Sequence, residues 1–345
     1  MKAVRIHYYG GTDQLRYEDA PEPKLGSPRE AIVKLKATSL NHSDLRVRRG
    51  LSGIDLCLPH IPGSDGAGIV AEIGSQTISV KPGDSVCLYP LNGCGRCEFC
   101  ITDREFMCAQ AHVLGQAEDG TYAEYVRVAA RNCFPIPQGL CFEEAAALPM
   151  VYVTVWRMLL TKAQLKPGEY VLILGIGGGV GSAVLQIGAQ LGAHLIVTSG
   201  SDEKLARAQE LGAEHGINYR KADFAKETRR LTDKRGADVV INCVGGESWV
   251  KSLGALAKGG RLVTCGATAG VHSCSDVRRI FWNHLQIFGS TLGTREEFRQ
   301  VLDFMEITGT KPIIDRIFSL REAAAAQERL EKGKQFGKIV LRTDN

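Results

Sequence analysis

The spacing of apolar and polar positions changes along the chain. Over the first 150 residues, short alternating or apolar segments such as "AIVKLKAT", "AGIVAEIG", "DSVCLYPL" and "AEYVRVAA" are separated by Gly and Pro. This pattern predicts β-strands joined by turns, and Pro82 and Gly83 set the backbone of one turn in "VKPGDSV". We therefore predict a partly open β-barrel with irregular loops for this part of the chain.

From Glu143 onward the apolar segments become longer. "FEEAAALPMVYVTVWRMLLTKAQL" is helical in character, with Pro149 offsetting its early part. The next segment, "KPGEYVLILGIGGGVGSAVLQIGAQLGAHLIVTSG", predicts strand, glycine turn, helix and strand. Strands in "HGINY", "ADVVINCVG", "GRLVTCG" and "LQIFGST" then alternate with the helical "DEKLARAQELG" and "SWVKSLGALAKGG", and the chain closes with the strand-like "GKIVLRT". Such alternation predicts an α/β fold with a parallel sheet covered on both faces.

The composition of the chain limits the kinds of binding partner that we expect. A chain of 345 residues with 44% apolar residues is long enough for two globular domains. Its net charge of +4 is spread without a basic run, so we expect no nucleic-acid partner. No apolar stretch reaches the ~18 residues that cross a bilayer, and no apolar signal core begins the chain, so we expect no membrane partner and a cytoplasmic location. The odd number of eleven cysteines, several in apolar runs, argues against a disulfide framework.

Four cysteines follow the spacing of metal ligands. Cys94, Cys97, Cys100 and Cys108 stand at C-x2-C-x2-C-x7-C. Four thiolates complete the tetrahedral shell of zinc and leave no position for a substrate, so such a zinc ion is structural. The segment is poor in apolar residues, and we expect the metal to supply its local folding energy. The alternative is a set of free surface cysteines.

A glycine turn in the predicted βαβ unit indicates a dinucleotide site. Gly175, Gly177, Gly178, Gly179 and Gly181 lie between an apolar strand and an apolar helix. Glycines allow a tight turn and a close approach to a pyrophosphate, whose charge the helix N-terminus stabilises. The alternative is a glycine-rich turn without a ligand.

The end of the next strand favours NADPH over NADH. NAD sites place an acidic residue there to accept from the ribose 2′-OH, whereas this chain has "TSGS" at 198–201. Lys204 and Tyr219 are positioned in the sequence to hold a 2′-phosphate, although they would also suit a solvated lysine and a packed tyrosine. Asp202 and Glu203 come later and suit the first turn of the following helix.

The chain resembles the medium-chain dehydrogenase/reductase superfamily over nearly its whole length. The resemblance is carried by "APEPKLGSPREAIVKLKATSLNHSD", "PGSDGAGIVAEIG", "GDSVCLYP", "GTYAEYVRV", the glycine turn and "GKIVL", in that order. It implies a GroES-like catalytic domain at residues 1–151 and 291–345 enclosing a Rossmann-type dinucleotide-binding domain at 152–290. It also implies a homodimer or homotetramer, because the edge strand in "LQIFGSTLG" pairs across a two-fold axis in this family.

The resemblance adds cofactor contacts and assigns the four cysteines to the structural zinc of the alcohol dehydrogenase branch. In the quinone-oxidoreductase branch, which the glycine turn resembles, positions matching Gly200, Lys204 and Tyr219 contact the 2′-phosphate. His42 matches a position near the pyrophosphate, and Thr154 matches a threonine at the nicotinamide. The remaining expected contacts are Val180, Ser199, Cys243, Val244, Gly266, Ala267 and Lys338.

The three positions that match catalytic zinc ligands all depart from the zinc pattern. The Cys, His and Cys of zinc alcohol dehydrogenases are replaced by Asn41, Ser64 and Met150. An amide, a hydroxyl and a thioether do not form a zinc site, so we predict no catalytic zinc. A stand-in metal site using His42, His60 or Asp65 is the alternative.

Without a metal, hydrogen-bond donors must stabilise the charge that hydride transfer builds on oxygen. Asn41 offers an amide, as the matching asparagine does in the quinone branch; Ser43 matches a proton-relay hydroxyl, and Arg46 could add charge. Each also has a structural alternative: Asn41 could cap a turn, Ser43 could bond to the backbone and Arg46 could face solvent. We expect an NADPH-dependent reductase of a quinone, an enone or an activated carbonyl, with the pocket shaped by loops such as "RVRRGLSGIDLCLPH". The alternatives are a zinc-dependent alcohol dehydrogenase with atypical ligands and a non-catalytic NADPH-binding protein resembling lens crystallins.

Overall fold

A computed structural model describes residues 1–50 and 56–343. The chain divides into two compact units, Met1–Val153 with Leu292–Asn345, and Thr154–Thr291. Residues 51–55, which belong to the predicted pocket loop, lie outside the described residues. No helix within the described ranges combines the length and apolar character that a membrane crossing requires.

The first part of the chain is rich in strands, and strands alternate with helices from residue 170 onward, as the sequence pattern predicts. The strands are β1 (Lys2–Ile6), β2 (Leu15–Asp19), β3 (Glu30–Ser39), β4 (Asp65–Ile73), β5 (Ser85–Leu88), β6 (Leu91–Asn92), β7 (His112–Val113), β8 (Tyr125–Ala129), β9 (Cys133–Pro135), β10 (Tyr170–Ile173), β11 (His194–Ser199), β12 (His215–Asn218), β13 (Ala237–Ile241), β14 (Leu256–Thr264), β15 (Gln286–Gly289), β16 (Ile314–Ser319) and β17 (Lys338–Arg342). The helices are α1 (His42–Arg49), α2 (Phe142–Ala146), α3 (Pro149–Trp156), α4 (Gly179–Gln190), α5 (Asp202–Glu210), α6 (Phe224–Leu231), α7 (Ser248–Ala255), α8 (Val277–Trp282), α9 (Arg295–Thr308) and α10 (Ala323–Glu331).

The first unit is built on a mostly antiparallel seven-stranded sheet in the order β16-β17-β3-β4-β5-β9, with β8 paired to the first half of β3. Inward-facing Val33, Leu35 and Val86 belong to one of its cores. The pairing of β3 with both β17 and β4 sets the geometry of the candidate site, because Ser39 lies opposite Val340 on one side and opposite Asp65 on the other.

The second unit is a six-stranded parallel sheet in the order β12-β11-β10-β13-β14-β15. All its strand pairs are parallel, and β10 and β13 are largely or wholly buried, as expected for a sheet covered on both faces. The order reverses between β10 and β11 on one side and β13 on the other, which is where ligands bind in doubly wound sheets.

Three segments differ in detail from the predicted elements. The long helical segment after Glu143 is divided: Pro149 opens α3, where its missing N–H is not needed, and a π-helical turn follows at Arg157–Lys162. Helix α7 ends at Ala255 and the chain passes directly into β14, earlier than its pattern predicts. Helix α6 was not predicted; the Asp223 side chain caps it by accepting two backbone N–H bonds.

Candidate active site

The four cysteines converge as their spacing predicts. The sulfur atoms of Cys94, Cys97, Cys100 and Cys108 all lie within 4.8 Å of one another. A tetrahedral ion with Zn–S bonds of about 2.3 Å needs sulfur separations of about 3.8 Å, and Cys94 and Cys100 are already 3.9 Å apart. The donor set therefore fits a zinc ion with little movement, and no substrate position would remain.

The local backbone favours thiolates at part of this cluster. Backbone N–H groups of Cys97 and Gln110 each donate to a cysteine sulfur at 3.4 Å. Such bonds, with one from Arg96 first among them, lower the pKa of Cys94 to about 6, whereas burial raises the pKa of Cys100 to about 12. A bound zinc ion would deprotonate both thiols and compensate the buried charge.

A buried ion pair anchors this cysteine lobe, residues 91–113, to α9. Arg295, the first residue of α9, pairs with the fully buried Glu105 and with Asp103 at 3.1 Å. Gly93 is required beside it, because a Cβ there would lie 2.7 Å from the Cys100 sulfur and 2.8 Å from Glu105 Cγ. The lobe is thus tethered to the first unit independently of the metal.

The glycine turn has the geometry of a phosphate cradle. Gly175 has φ +75°, in the left-handed region, and a Cβ on Gly181 would lie 2.6 Å from the Gly175 carbonyl oxygen. Gly178 is the N-cap of the 12-residue α4, whose first turn begins with the predicted Gly179 and Val180; Gly177 precedes it. A Cβ on Gly178 would have only the Gly175 oxygen near it, at 3.6 Å, so the backbone is open to a ligand there. The cradle fits a pyrophosphate.

The ends of β13 and β14 flank this turn. Val244 Cγ2 would lie 3.7 Å from a Cβ on Gly175, and a Cβ on Gly266 would lie 3.3 Å from the Cys243 carbonyl oxygen. Ala267 follows on the same loop. Burial raises the pKa of Cys243 to about 11, which keeps its thiol neutral. These predicted cofactor residues are therefore neighbours within the second unit, and Thr154 lies buried in α3.

The corner between β11 and β12 gathers basic and aromatic side chains over Gly200. A Cβ on Gly200 would lie 2.8 Å from Arg220 Nε and 2.9 Å from Tyr219 Oη. Lys204 stands on the first turn of α5, where its N–H donates to the Ser201 side chain. Ser199 Oγ accepts from the Ser201 N–H, so the loop has a fixed turn. Arg220 was not among the predicted site residues, because its approach to Gly200 depends on the pairing of β11 with β12.

The carboxylate nearest this corner already has a cationic partner. Asp202 Oδ2 lies 2.6 Å from Lys221 Nζ, and Oδ1 accepts from Asn218 Nδ2 at 2.7 Å. The bond from Asn218 and the one from Lys221 lower the pKa of the Asp202 carboxyl. Asp202 is therefore a charged, paired group whose partners are Asn218 at the end of β12 and Lys221 in the turn that follows.

A fully buried carboxylate organises the candidate catalytic region of the first unit. Asp65 is 0% exposed. Its Oδ2 accepts from Ser39 Oγ at 2.9 Å, Asn41 Nδ2 at 2.9 Å and Lys338 Nζ at 3.0 Å. Its Oδ1 accepts from the Met150 backbone N–H at 2.7 Å. Sequence reasoning treated Asp65 only as a stand-in metal ligand; both its oxygens are instead used in fixing β3, α1, α3 and β17.

The side chain of Asn41 is held from both ends. Its amide nitrogen donates to Asp65, and its oxygen accepts from Lys338 Nζ at 2.7 Å. Asn41 is 7% exposed and stands at the N-terminus of α1. Asn41 is also the N-cap of α1, where it forms a capping box with Asp44. The capping role that the sequence left open is therefore combined with a place in a buried polar cluster.

Helix α1 presents the other predicted residues of this region. His42 and Arg46 are exposed, and Ser43 is half-buried. Desolvation by the surrounding protein and the charges of Lys338 and Arg46 lower the pKa of His42, although much of its surface is open to solvent. His42 is thus neutral near pH 7, and the region around it is electropositive.

The next residue, Asp44, is a buried carboxyl that forms no salt bridge with any of the described residues. It accepts from the Asn41 backbone N–H and from Tyr122 Oη, both at 2.9 Å. Burial nevertheless raises the pKa of Asp44 to about 7, with the nearby charge of Asp65 adding to the effect. The N-terminus of α1 therefore rests on a group that titrates near neutrality.

The remaining positions from the zinc pattern have different surroundings. The Ser64 hydroxyl is completely buried and has no hydrogen-bond partner among the described residues. His60 is buried, with Nε2 3.0 Å from the Gly115 carbonyl oxygen, which requires that nitrogen to be protonated and unable to bind a metal. In the described part of the chain, the cysteine lobe is the group of His, Cys, Asp and Glu side chains whose ligand atoms converge for a metal.

The fold and the site define a nucleotide-dependent oxidoreductase of the zinc-type alcohol dehydrogenase class. The defining features are a unit with a mostly antiparallel sheet, a parallel sheet with a phosphate cradle, and a lobe of four cysteines. Family models agree: residues 27–138 match the alcohol dehydrogenase GroES-like domain, and residues 179–306 match the zinc-binding dehydrogenase domain. The chain belongs to the medium-chain dehydrogenase/reductase superfamily, which confirms the predicted family and fold class.

Similar proteins come from both branches of that superfamily. A zinc-type alcohol dehydrogenase-like protein of Schizosaccharomyces pombe is 36% identical over 97% of this chain and 96% of its own length. A crystal structure described as an NAD-dependent alcohol dehydrogenase has a TM-score of 0.96 and 39% identity, with all of both chains covered. A quinone oxidoreductase of Pongo abelii is 28% identical over 99% of this chain and 97% of its own.

Proposed function

We propose that this protein is an NADPH-dependent reductase that transfers hydride to a quinone, an enone or an activated carbonyl without a catalytic zinc ion. The observation that carries the proposal is the arrangement at Asn41, whose amide is bonded to Asp65 and Lys338 instead of being available to a metal. Residues 1–151 and 291–345 then form the catalytic domain, and residues 152–290 form the dinucleotide-binding domain.

NADPH held by the glycine turn and the Gly200 corner would supply the hydride to the substrate carbon and would be left as NADP⁺. The substrate oxygen, or the carbonyl oxygen of an enone, gains negative charge and takes one proton. The second N–H of the Asn41 amide and the buried Ser64 hydroxyl donate to that oxygen. Neither group can lose a proton readily, so Ser43 relays the proton from solvent, with Arg46 adding positive charge.

The choice of NADPH rests on the corner at Gly200. Arg220, Tyr219 and Lys204 supply donors for a 2′-phosphate, and no acidic side chain stands at the end of β11. The NAD-dependent relative makes NADH the competing cofactor. An acid accepting from the ribose 2′-OH would favour NADH, but Asp202 is already paired with Lys221.

The cysteine lobe holds one structural zinc ion per chain in this proposal. Four sulfur ligands would satisfy the metal, and the Arg295 pair would hold the lobe against α9. The ion takes no part in hydride transfer, since a closed shell of four thiolates offers no open position.

We also propose that two copies associate through β15 into a homodimer, or a homotetramer built from it. β15 is the edge strand of the parallel sheet; Ile287 on it is exposed, as are Phe281 and Trp282 on the preceding α8. Pairing of two edge strands across a two-fold axis would cover these apolar side chains.

The test combines metal analysis with a substrate panel. Purified protein should contain one zinc ion per chain and should oxidise NADPH with enones, quinones or activated carbonyls. Asn41→Ala should lower kcat by about 100- to 1,000-fold, the range seen when an oxyanion donor is lost. Two zinc ions per chain would instead indicate a zinc-dependent alcohol dehydrogenase with atypical ligands. Tight NADPH binding without turnover on any substrate would indicate a non-catalytic protein.

A further inference from the structure

Lys338 is a buried lysine whose three N–H groups are all used. Its side chain is 3% exposed, and Nζ lies 2.8 Å from the Leu40 carbonyl oxygen, 2.7 Å from Asn41 Oδ1 and 3.0 Å from Asp65 Oδ2. An ammonium group has three protons and no acceptor. A lysine arranged in this way has no proton left to donate to the cofactor, although the family resemblance implies a cofactor contact at Lys338.

These contacts determine which way the Asn41 amide points. Lys338 can only donate, so it must face the amide oxygen; the ionised Asp65 can only accept, so it must face the amide nitrogen. The flipped amide would place N–H groups against an ammonium and an oxygen against a carboxylate. Since both bonds involve a charged partner and are buried, they are stronger than neutral hydrogen bonds, and one orientation is enforced.

The enforced orientation leaves one N–H of the amide for another acceptor. The bond to Asp65 uses one of the two protons on Nδ2, and the oxygen is occupied by Lys338. A cation bonded to an amide oxygen also draws electron density from the nitrogen and strengthens its N–H groups as donors. The cluster thus fixes the Asn41 amide in the orientation in which it is a hydrogen-bond donor.

We propose that Lys338 is a positioning residue: through Asn41 Oδ1, and together with Asp65, it presents the remaining Asn41 N–H to the substrate oxygen and does not bind the cofactor phosphates. The inference rests on the proposed function, in which Asn41 donates to that oxygen. Lys338 itself acts through Asn41 and touches neither substrate nor cofactor.

The proposal is tested by a double-mutant cycle on the full-length holoenzyme, with zinc content and thermal stability measured for every variant. Lys338→Met should lower kcat by about tenfold or more and leave KM for NADPH within twofold. In the Asn41→Ala background, Lys338→Met should produce no further loss, because the amide it orients is absent. Lys332→Met, on the exposed surface, is the matched control and should behave as wild type.

Lys338→Met leaves the Asp65 charge buried without its cation. If that variant does not fold, Asp65→Asn/Lys338→Met, which removes both charges, replaces it in the cycle. A rise of tenfold or more in KM for NADPH with kcat retained would show phosphate binding and overturn the proposal. Losses that multiply in the two backgrounds would also overturn it. Wild-type kcat in Asn41→Ala would overturn the proposed role of Asn41 itself, and with it this inference.

Discussion

Gly200→Asp is the substitution that separates NADPH from NADH most directly. The Cβ of residue 200 would lie 2.8 Å from Arg220 Nε and 2.9 Å from Tyr219 Oη, so the new carboxylate falls within reach of the guanidinium. It would pair with Arg220 and repel the 2′-phosphate. NADH has no phosphate there, and its ribose 2′-OH could donate to the same carboxylate.

The expected size of the effect follows from two losses. A hydrogen bond to a charged group contributes about 1.5–3 kcal/mol, and Arg220 would be withdrawn from the phosphate. Repulsion between two unit charges about 5 Å apart amounts to about 1–3 kcal/mol at dielectric constants between 80 and 20, and we take about 1 kcal/mol because the corner is exposed and screened. The sum, about 2.5–4 kcal/mol, predicts NADPH binding that is weaker by roughly 70- to 1,000-fold.

Gly200→Ala is the control for crowding. The atoms it would meet belong to the ends of exposed side chains; Tyr219, for example, is 51% exposed. They can shift, so we expect a loss of about 0.5–1 kcal/mol, or roughly two- to fivefold. The dissociation constants of NADPH and NADH would be measured by fluorescence titration at one ionic strength. Equal weakening of both cofactors, or a Gly200→Asp effect no larger than that of Gly200→Ala, would refute the assignment of this corner to the 2′-phosphate.

The remaining predictions concern metal, stability and assembly. Cys97→Ser should reduce zinc from one to near zero per chain by mass spectrometry while NADPH still binds. Arg295→Met should lower stability by about 3–5 kcal/mol by leaving Glu105 unpaired, and adding Glu105→Gln should restore part of the melting temperature. The pKa of Asp44 is raised to about 7 in the native state, against about 3.9 in the unfolded chain, so the native state holds an extra proton between these pH values. The free energy of unfolding should therefore fall by up to about 4 kcal/mol from pH 4 to 7. Asp44→Asn should remove this pH dependence from the melting temperature. Ile287→Lys should shift the sedimentation coefficient to that of a monomer if β15 is the dimer edge.

Local patterns were sufficient for most of the elements, for the glycine turn and for the convergence of the four cysteines. The βαβ unit around Gly178 has apolar runs of the right length on both sides of its glycines, and Cys94 to Cys108 lie within one short segment, so neither required knowledge of distant contacts. Helix α6, by contrast, has few apolar positions beyond Phe224 and Leu231 in "FAKETRRL". Its formation depends on the Asp223 cap and on packing against α7, which periodicity alone does not reveal.

The polar cluster around Asp65 could not be predicted because its members are far apart in the chain. Lys338 and Asp65 are separated by 273 positions, and the pairing of β17 and β4 on opposite sides of β3 brings them together. The sequence indicated that Asn41 was unusual for its position, but the direction of its amide depends on both partners. Arg220 is a similar case, since only strand pairing places it over Gly200.

The same cluster gives a physical reason for a donor-based site. To bind a metal, the Asn41 oxygen would have to lie about 2.2 Å from the ion while remaining 2.7 Å from Lys338 Nζ, which puts a divalent cation within about 5 Å of an ammonium. At an effective dielectric constant of 20, that repulsion is about 7 kcal/mol, and the Asp65 carboxylate, already paired with Lys338, offsets only part of it. If the Asn41 amide were instead released from Lys338, a buried charge-assisted hydrogen bond would be lost. The metal would gain only a neutral amide oxygen, a ligand that suits hard cations better than zinc. In the proposed mechanism, Lys338 therefore supplies, through the amide of Asn41, the positive charge that a metal would bring.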